Sequence, residues 1–541
     1  MTVPSLLHDL PMQSALKSPS REALSFGGHS LSYAQLAADL RAFAAGLIDL
    51  GVARSDRVAI YLEKRFETVI ASFGATAAGG VFVPLNPLLK PEQVGYILRD
   101  CNVRVLVTSV ERLALVTEVL RGCPDLRHVV VTGGVRPEVD PAEVNLVAWN
   151  KLLAAPPHSG HRVIDTDMAA ILYTSGSTGK PKGVVLSHRN MVAGATSVAS
   201  YLDNHAGDTL LAALPLSFDA GFSQLTTAFH VGARVALINY LLPKDVLNAV
   251  VKERVTGFTA VPPLWIQLSQ LKWPETVSDH LRYIANTGGR MPLETLKVLR
   301  GMLPKTKPYL MYGLTEAFRS TYLPPEEIDR RPDSIGKAIP NAEILVLRDD
   351  GTPCAPNEPG ELVHRGALVG MGYWNDMEKT AERYKPLPGR EPGLVLPEVA
   401  VFSGDTVRKD DEGFLYFIGR RDEMIKTSGY RVSPTEIEEV LYATRLVSEA
   451  AAFGVPSATL GQAIVVIATS KPGVTLTTDV LLVACREHLP AYMQPAQVDI
   501  RAGPLPRNPN GKIDRKLLSE TYSRETAPPS TLDSEPQKTH S

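Results

Sequence analysis

Between Tyr173 and His188 the chain reads YTSGSTGKPKGVVLSH, a run of small hydroxylated residues, glycines and lysines that turns apolar at its end. Such a composition suits a loop that wraps a polyphosphate. Backbone amides of Gly176, Gly179 and Gly183, the hydroxyls of Thr174, Ser175, Ser177 and Thr178, and the Lys182 ammonium could converge on phosphate oxygens. The run is not a Walker A loop, which needs a glycine where this chain has Thr174 and a Ser or Thr where it has Pro181. The strand-like GVVLS follows in place of a helix, so no helix dipole is aimed at the phosphate. A solvated surface loop is the plainer reading of the same residues.

The elements around this loop read as layered α/β structure. SYAQLAADLRAFAAGLIDLG is an amphipathic helix: Leu36, Leu40, Phe43, Leu47 and Leu50 recur at steps of four and three, Ser32 with Gln35 forms a capping box, and Gly51 supplies the stop. RVAIYL, VRVLVTS, HVVVTG, TLLAALP, ARVALIN and TGFTAVPP read as strands alternating with helices, which predicts mostly parallel sheets covered by helices. A Pro- and Gly-rich stretch spans 385–398, and a smaller α+β unit begins near Arg421. There Ser433, Pro434 and Glu436 mark a capped helix start. The predicted organisation is an N-terminal domain over 1–420, a C-terminal domain over 421–520 and a disordered, polar, Pro-rich tail over 521–541.

Composition sets limits on partners. The 541 residues carry 56 basic and 58 acidic side chains, so charge gives no reason to expect nucleic acid or an anionic membrane. No stretch is long and apolar enough to span a bilayer, and the N-terminus does not read as a signal peptide. Four cysteines without paired spacing fit neither a zinc site nor a disulfide framework, which points to a reducing cytoplasm.

Beyond the loop, TGGRMP (287–292), MYGLTEA (311–317), SGDTVRKDDEGFLYFIGRRDEMIKTSGYRVSPTEIEEVL (403–441) and PRNPNGKIDRK (506–516) follow in order. Together with the loop they resemble the adenylate-forming superfamily, which includes acyl-CoA synthetases, luciferases and the adenylation domains of peptide synthetases. The resemblance runs from LSYAQLA to KIDRKLL. The stretch from YGLTEAFRSTYLPPEEIDRR to GMGYWND is similar to the AMP-forming acyl-CoA ligases associated with exosortase A systems.

The resemblance implies a two-step reaction: a carboxylate attacks the α-phosphorus of ATP to give an acyl-adenylate and pyrophosphate, and a thiol then displaces AMP. It implies a mobile C-terminal domain, with ATP, Mg²⁺ and CoA, or a carrier-protein phosphopantetheine, as cofactors. The partners it implies are a small carboxylic or amino acid and, in the alternative, an acyl carrier protein. Lys182 and residues 174–179 would hold phosphates, Glu316 Mg²⁺, and Thr315 the α-phosphate. Tyr312 would line the adenine site, Asp405 would accept both ribose hydroxyls, and Arg420 would add a second ribose contact. Lys512 would reach the attacking carboxylate and favour the transition state. Asp422 would be the hinge, and Gly429 would line the thiol tunnel. Phe218, Asp219, Ser223, Gly288 and Gly289 would form the acyl site, with Gly221 also leaving room there.

Plainer readings stand beside several of these. Asp405 could be a turn aspartate, Arg420 and Lys512 solvated side chains, and Gly429 a turn glycine. Asp219 stands where amino-acid-activating relatives bind an α-ammonium, a place where many acyl-CoA synthetases carry a histidine. Capping of the following helix is the alternative. A degenerate nucleotide-binding sensor is the non-catalytic reading, against which Lys182, Glu316, Asp405 and Lys512 stand together.

Overall fold

A computed structural model describes residues 3–133, 144–174, 181–389, 393, 395–421, 423–427, 430–457, 460–508 and 511–526. The chain divides into two units. The larger holds Met1–Arg421 together with Pro509–Lys512; the smaller holds Asp422–Asn508 and Ile513–Ser541. Arg421 thus falls with the large unit, one residue beyond the expected boundary.

Three sheets build the large unit among the described residues. One has nine strands, with a parallel centre formed by Arg234–Leu237, Thr209–Ala212, Gly257–Ala260, Tyr283–Asn286 and Lys307–Tyr312. A second has seven, parallel except where Met168–Thr174 and Lys182–Ser187 pair antiparallel at its edge. Most residues of these strands are apolar and buried, as helix-covered parallel sheets require. The third sheet is antiparallel and carries the long strand Val399–Lys409 beside Leu415–Arg420.

The helices Phe66–Ala78 and Asp219–Val231 contribute to the main core. Phe222 stacks on Phe73 at 5.5 Å and on Phe82 at 4.7 Å, and Phe229 meets Phe73 edge-on at 5.2 Å. The expected first helix is present as Tyr33–Asp49. Its capping box is complete: Ser32 Oγ accepts from the Gln35 amide at 3.2 Å, and Gln35 Oε1 accepts from the Ser32 amide at 2.8 Å. Gly51 ends it at φ +79°, a left-handed backbone that glycine adopts without strain.

In the small unit a sheet of Tyr430–Val432, Ile425–Thr427, Gly461–Ser470, Val447–Ser457 and Gln497–Ile500 packs helices Pro434–Ala443 and Thr478–His488. Two expectations are corrected here. Ser433 stands at the helix start without capping it, because its hydroxyl pairs with Thr435 Oγ1 at 2.8 Å. The expected start of a disordered tail at 521 is corrected, since the helix Arg515–Glu525 runs past that position. Tyr522 is buried and meets Phe453 edge-on at 6.0 Å, so the helix is held by core packing. Among the described residues no helix is long and apolar enough to cross a membrane.

Candidate active site

Three strand ends of the large unit supply the groups that could handle a nucleotide. The antiparallel pair at the sheet edge sets Thr174 opposite Lys182 and Tyr173 opposite Gly183. Ser175, Gly176, Ser177, Thr178 and Gly179, between those strands, lie outside the described residues. GVVLS is a strand as expected, and its apolar residues are buried. The segment Gly372–Tyr373–Trp374 laces onto it, with the Val185 amide donating to Gly372 O at 2.9 Å and the Trp374 amide to Gly183 O at 2.7 Å. Lys182 Nζ consequently stands over the Tyr373 ring, 5.6 Å from its centroid.

Tyr373 joins this strand to the second group. Its hydroxyl donates to Glu316 Oε1 at 2.6 Å. Burial and the Glu316 charge push the Tyr373 phenol well above its ordinary range, so it stays a donor. Glu316 sits in the short turn Thr315–Ala317 that follows the strand Lys307–Tyr312. The Gly370 amide donates to the Glu316 carbonyl at 2.8 Å and fixes that turn. Thr315 beside it is buried.

Tyr312, at the end of its strand, donates its hydroxyl to Asp405 Oδ2. Asp405 is a buried residue within the strand Val399–Lys409, which excludes the turn reading. Desolvation raises its pKa, opposed by Arg420, whose Nη1 is 3.8 Å from Oδ1 across the neighbouring strand. One expectation shifts: Oδ2 is already taken by Tyr312, and only Oδ1 is left without a hydrogen bond among the described residues. A buried carboxylate oxygen in that state is a ready acceptor for a hydroxyl.

The acyl residues gather on the nine-stranded sheet's helix Asp219–Val231 and the loop after Tyr283–Asn286. Phe218 occupies the N-cap position with no side-chain cap bond, and Asp219 is the first helical residue. Gly288 has φ +75°, and a Cβ there would stand 3.2 Å from Val261 Cγ1, 3.4 Å from Lys512 Cε and 3.8 Å from the Phe218 ring. Gly289 likewise faces Pro262, at 3.2 Å from a Cβ. Phe218, Gly288 and Lys512 therefore share one neighbourhood. Desolvation raises the pKa of both Asp219 and Asp405, and Lys512 is among the cations that oppose that rise.

Asp219 is not the N-cap residue of its helix, and one of its oxygens already holds a protein cation. Its Oδ2 accepts from Arg319 Nη1 at 3.0 Å, with side chains 5 % and 3 % exposed. Desolvation raises its pKa, against the Arg319 charge. Gly221 is not pocket space either: a Cβ there would stand 1.9 Å from Pro215 O, so glycine is needed for the helix start to pack. Ser223, one turn on from Asp219, is buried.

Within the small unit, two acids fasten the chain before and after Pro509–Lys512, the stretch that falls with the large unit. Glu449 accepts from the Leu505 amide at 2.6 Å and pairs with Arg507. Glu438 accepts from Arg515 Nη2 at 2.7 Å and from the Ala452 amide at 2.9 Å. Asp422 and Gly429 lie outside the described residues. Sequence reasoning missed Arg319, Tyr373, Glu438 and Glu449. Arg319, Tyr373 and Glu438 lay inside stretches already singled out by resemblance.

Comparison with known proteins finds relatives along nearly the whole chain. The family described as AMP-binding enzyme matches residues 12–374, and its C-terminal domain matches 436–512. A long-chain-fatty-acid–CoA ligase of Salmonella typhimurium is 31 % identical, covering 91 % of this chain and 90 % of that protein. An L-proline–[L-prolyl-carrier protein] ligase of Streptomyces coelicolor is 32 % identical over 97 % of this chain and 98 % of its own. Among solved structures, an anthranilate CoA ligase in complex with anthranoyl-AMP superposes with a TM-score of 0.86 at 24 % identity, covering 96 % and 98 % of the two chains. An o-succinylbenzoate CoA synthetase from Bacillus subtilis, with ATP and magnesium, gives 0.78 at 27 % identity over 94 % and 98 %.

Proposed function

The chain belongs to the AMP-binding enzyme family and is an AMP-forming acid–thiol ligase that makes an acyl-CoA through an acyl-adenylate, and we propose that the residues gathered above carry out its first step. The observation that carries this reading is the chain of contacts Lys182–Tyr373–Glu316, which holds a cation and a carboxylate together where the loop strands end. Adenylation brings two anions together, so the protein's task is to neutralise and position charge. Lys182 and residues 174–179 meet the phosphates, and Thr315 donates to the α-phosphate. Glu316, a hard oxygen ligand held by Tyr373, suits Mg²⁺, which would neutralise phosphate charge. Asp405 Oδ1 takes a ribose hydroxyl, with Arg420 beside it.

Lys512 meets the attacking carboxylate and the departing bridge oxygen, lowering the barrier by a contact stronger in the transition state than before it. The thiol then attacks the acyl carbon and expels AMP. Asp422 as hinge and Gly429 as tunnel wall belong to this reading by family resemblance. So does membership of the exosortase-associated subgroup, while a cytoplasmic setting rests on the four cysteines without paired spacing. The proline–carrier-protein ligase relative favours a second reading, in which a carrier-protein phosphopantetheine replaces CoA. The test is pyrophosphate exchange with a panel of acids, followed by thioester formation with CoA and with a phosphopantetheinylated carrier protein. Absence of acid-dependent exchange with every acid would overturn the assignment of these residues. Thioester with the carrier alone would move the acceptor.

A further inference from the structure

We propose that the Asp219–Arg319 pair makes the acyl pocket selective for an acid whose acyl part carries a neutral oxygen substituent, a hydroxyl or a carbonyl. The inference rests on reading Phe218, Asp219 and Gly288 as the acyl end of the site, and it adds a specificity-determining residue, Arg319, to them. Only two residues separate Glu316 from Arg319, so one turn serves both the nucleotide end and the pocket.

The backbone goes to some length to put Arg319 there. Phe318 has φ +56° and ψ −43°, a conformation that bulky residues rarely adopt and that persists only where the surroundings hold it. Its ring is accommodated by the absence of a side chain at Gly194, where a Cβ would stand 2.4 Å from Phe318 Cδ1. The strained residue turns the chain so that Arg319 enters the interior and meets Asp219 at 3.0 Å. A pocket for a plain alkyl chain gains nothing from this. Apolar residues of similar volume in place of a buried ion pair are commonly neutral or stabilising.

The pair is also not saturated. Arg319 Nη1 serves Asp219 and the Phe318 carbonyl, while the buried Nε has no hydrogen-bond partner among the described residues. Ser223 Oγ is buried and unpartnered as well, four residues after Asp219 and hence on the same face of the helix. Thr227 Oγ1, another turn along, shares that state. A line of polar groups with spare hydrogen-bonding capacity on one buried helix face calls for a polar occupant.

Charge narrows the choice. An α-ammonium approaching Asp219 would meet the Arg319 guanidinium already there, and a second carboxylate would compete with Asp219 for Arg319. A neutral oxygen accepts from Arg319 and exchanges a hydrogen bond with Ser223 while leaving the pair intact. Sites built around such bonds discriminate strongly against the analogue that lacks the oxygen.

The experiment compares kcat/KM in pyrophosphate exchange for butyrate, 3-hydroxybutyrate, 3-oxobutyrate, 2-aminobutyrate, succinate and dodecanoate. Wild type is expected to prefer the hydroxy or oxo acid over butyrate by tenfold or more. The double variant Asp219→Asn, Arg319→Met, which removes both charges, should bring that ratio to about one. Ser223→Ala, a smaller change, should lower it severalfold. A wild-type preference for butyrate, dodecanoate, succinate or 2-aminobutyrate overturns the proposal, as does an unchanged ratio in a folded Ser223→Ala and in the double variant. No exchange with any acid, in contrast, sinks the reading of the site beneath it.

Discussion

Removing Arg319 alone should leave Asp219 as an unpaired carboxylate in the core, and the cost should depend on pH in a way that the pair explains. In Arg319→Met the apolar stem is kept and the charge is lost. Desolvation raises the Asp219 carboxyl above the ordinary carboxylate range even with Arg319 present. Without the guanidinium the native state holds it protonated further up the scale. The folded form then binds a proton that the unfolded form has released, so stability falls as pH rises, by about 1.4 kcal/mol per pH unit. The fall begins near the unfolded carboxylate pKa of about 4 and ends at the variant's own folded pKa. The accumulated loss is expected to fall within the roughly 3–5 kcal/mol seen when one partner of a buried pair is removed. Urea unfolding of the large unit, followed for wild type and variant at pH 4.5 and 7.5, reads the difference directly. Asp219→Asn in the Arg319→Met background should recover most of the loss at pH 7.5 and flatten the dependence. A deficit that is the same at both pH values, or a double variant as unstable as the single one, would refute the reasoning.

Tyr373→Phe deletes the donor to Glu316 but keeps the ring beneath Lys182. Exchange should fall about tenfold to a hundredfold in kcat with a raised Mg²⁺ requirement, and an unchanged magnesium titration would count against the positioning role. Asp405→Asn should weaken AMP binding by about 1.5–3 kcal/mol, measured by calorimetry, because an amide replaces a charged acceptor. Equal affinity for AMP and 2′,3′-dideoxy-AMP in wild type would remove Asp405 from the ribose. Lys512→Ala should lose exchange by orders of magnitude while still consuming a supplied acyl-adenylate with thiol. Equal loss in both assays would show that the lysine is not specific to adenylation.

What the sequence made legible follows the range over which each feature is determined. The first helix was readable to its capping box, because Ser32, Gln35 and a leucine stripe act within a few turns of one another. The buried strands were readable because both faces demand apolar residues. Tyr312, Glu316 and Asp405 were singled out through family motifs, and the structure adds what motifs omit, namely that Tyr373 holds one oxygen of Glu316 and Tyr312 one oxygen of Asp405.

Asp219 shows where local reading stops. Its partner is 100 residues away in sequence, and nothing near Phe218 hints at an arginine. Phe318 compounds the difficulty, since a phenylalanine gives no sign of a left-handed backbone. Gly221 looked like pocket space for the same reason: the Pro215 carbonyl that forbids a Cβ comes from the chain's own reversal into the helix. A buried acid beside a presumed substrate pocket must be paired with something. From sequence the only partner in view was the substrate, and so the carboxylate was matched to an ammonium. The structure supplies a protein cation in that role, which turns the question from what neutralises Asp219 to what satisfies the donors that Arg319 and Ser223 still hold.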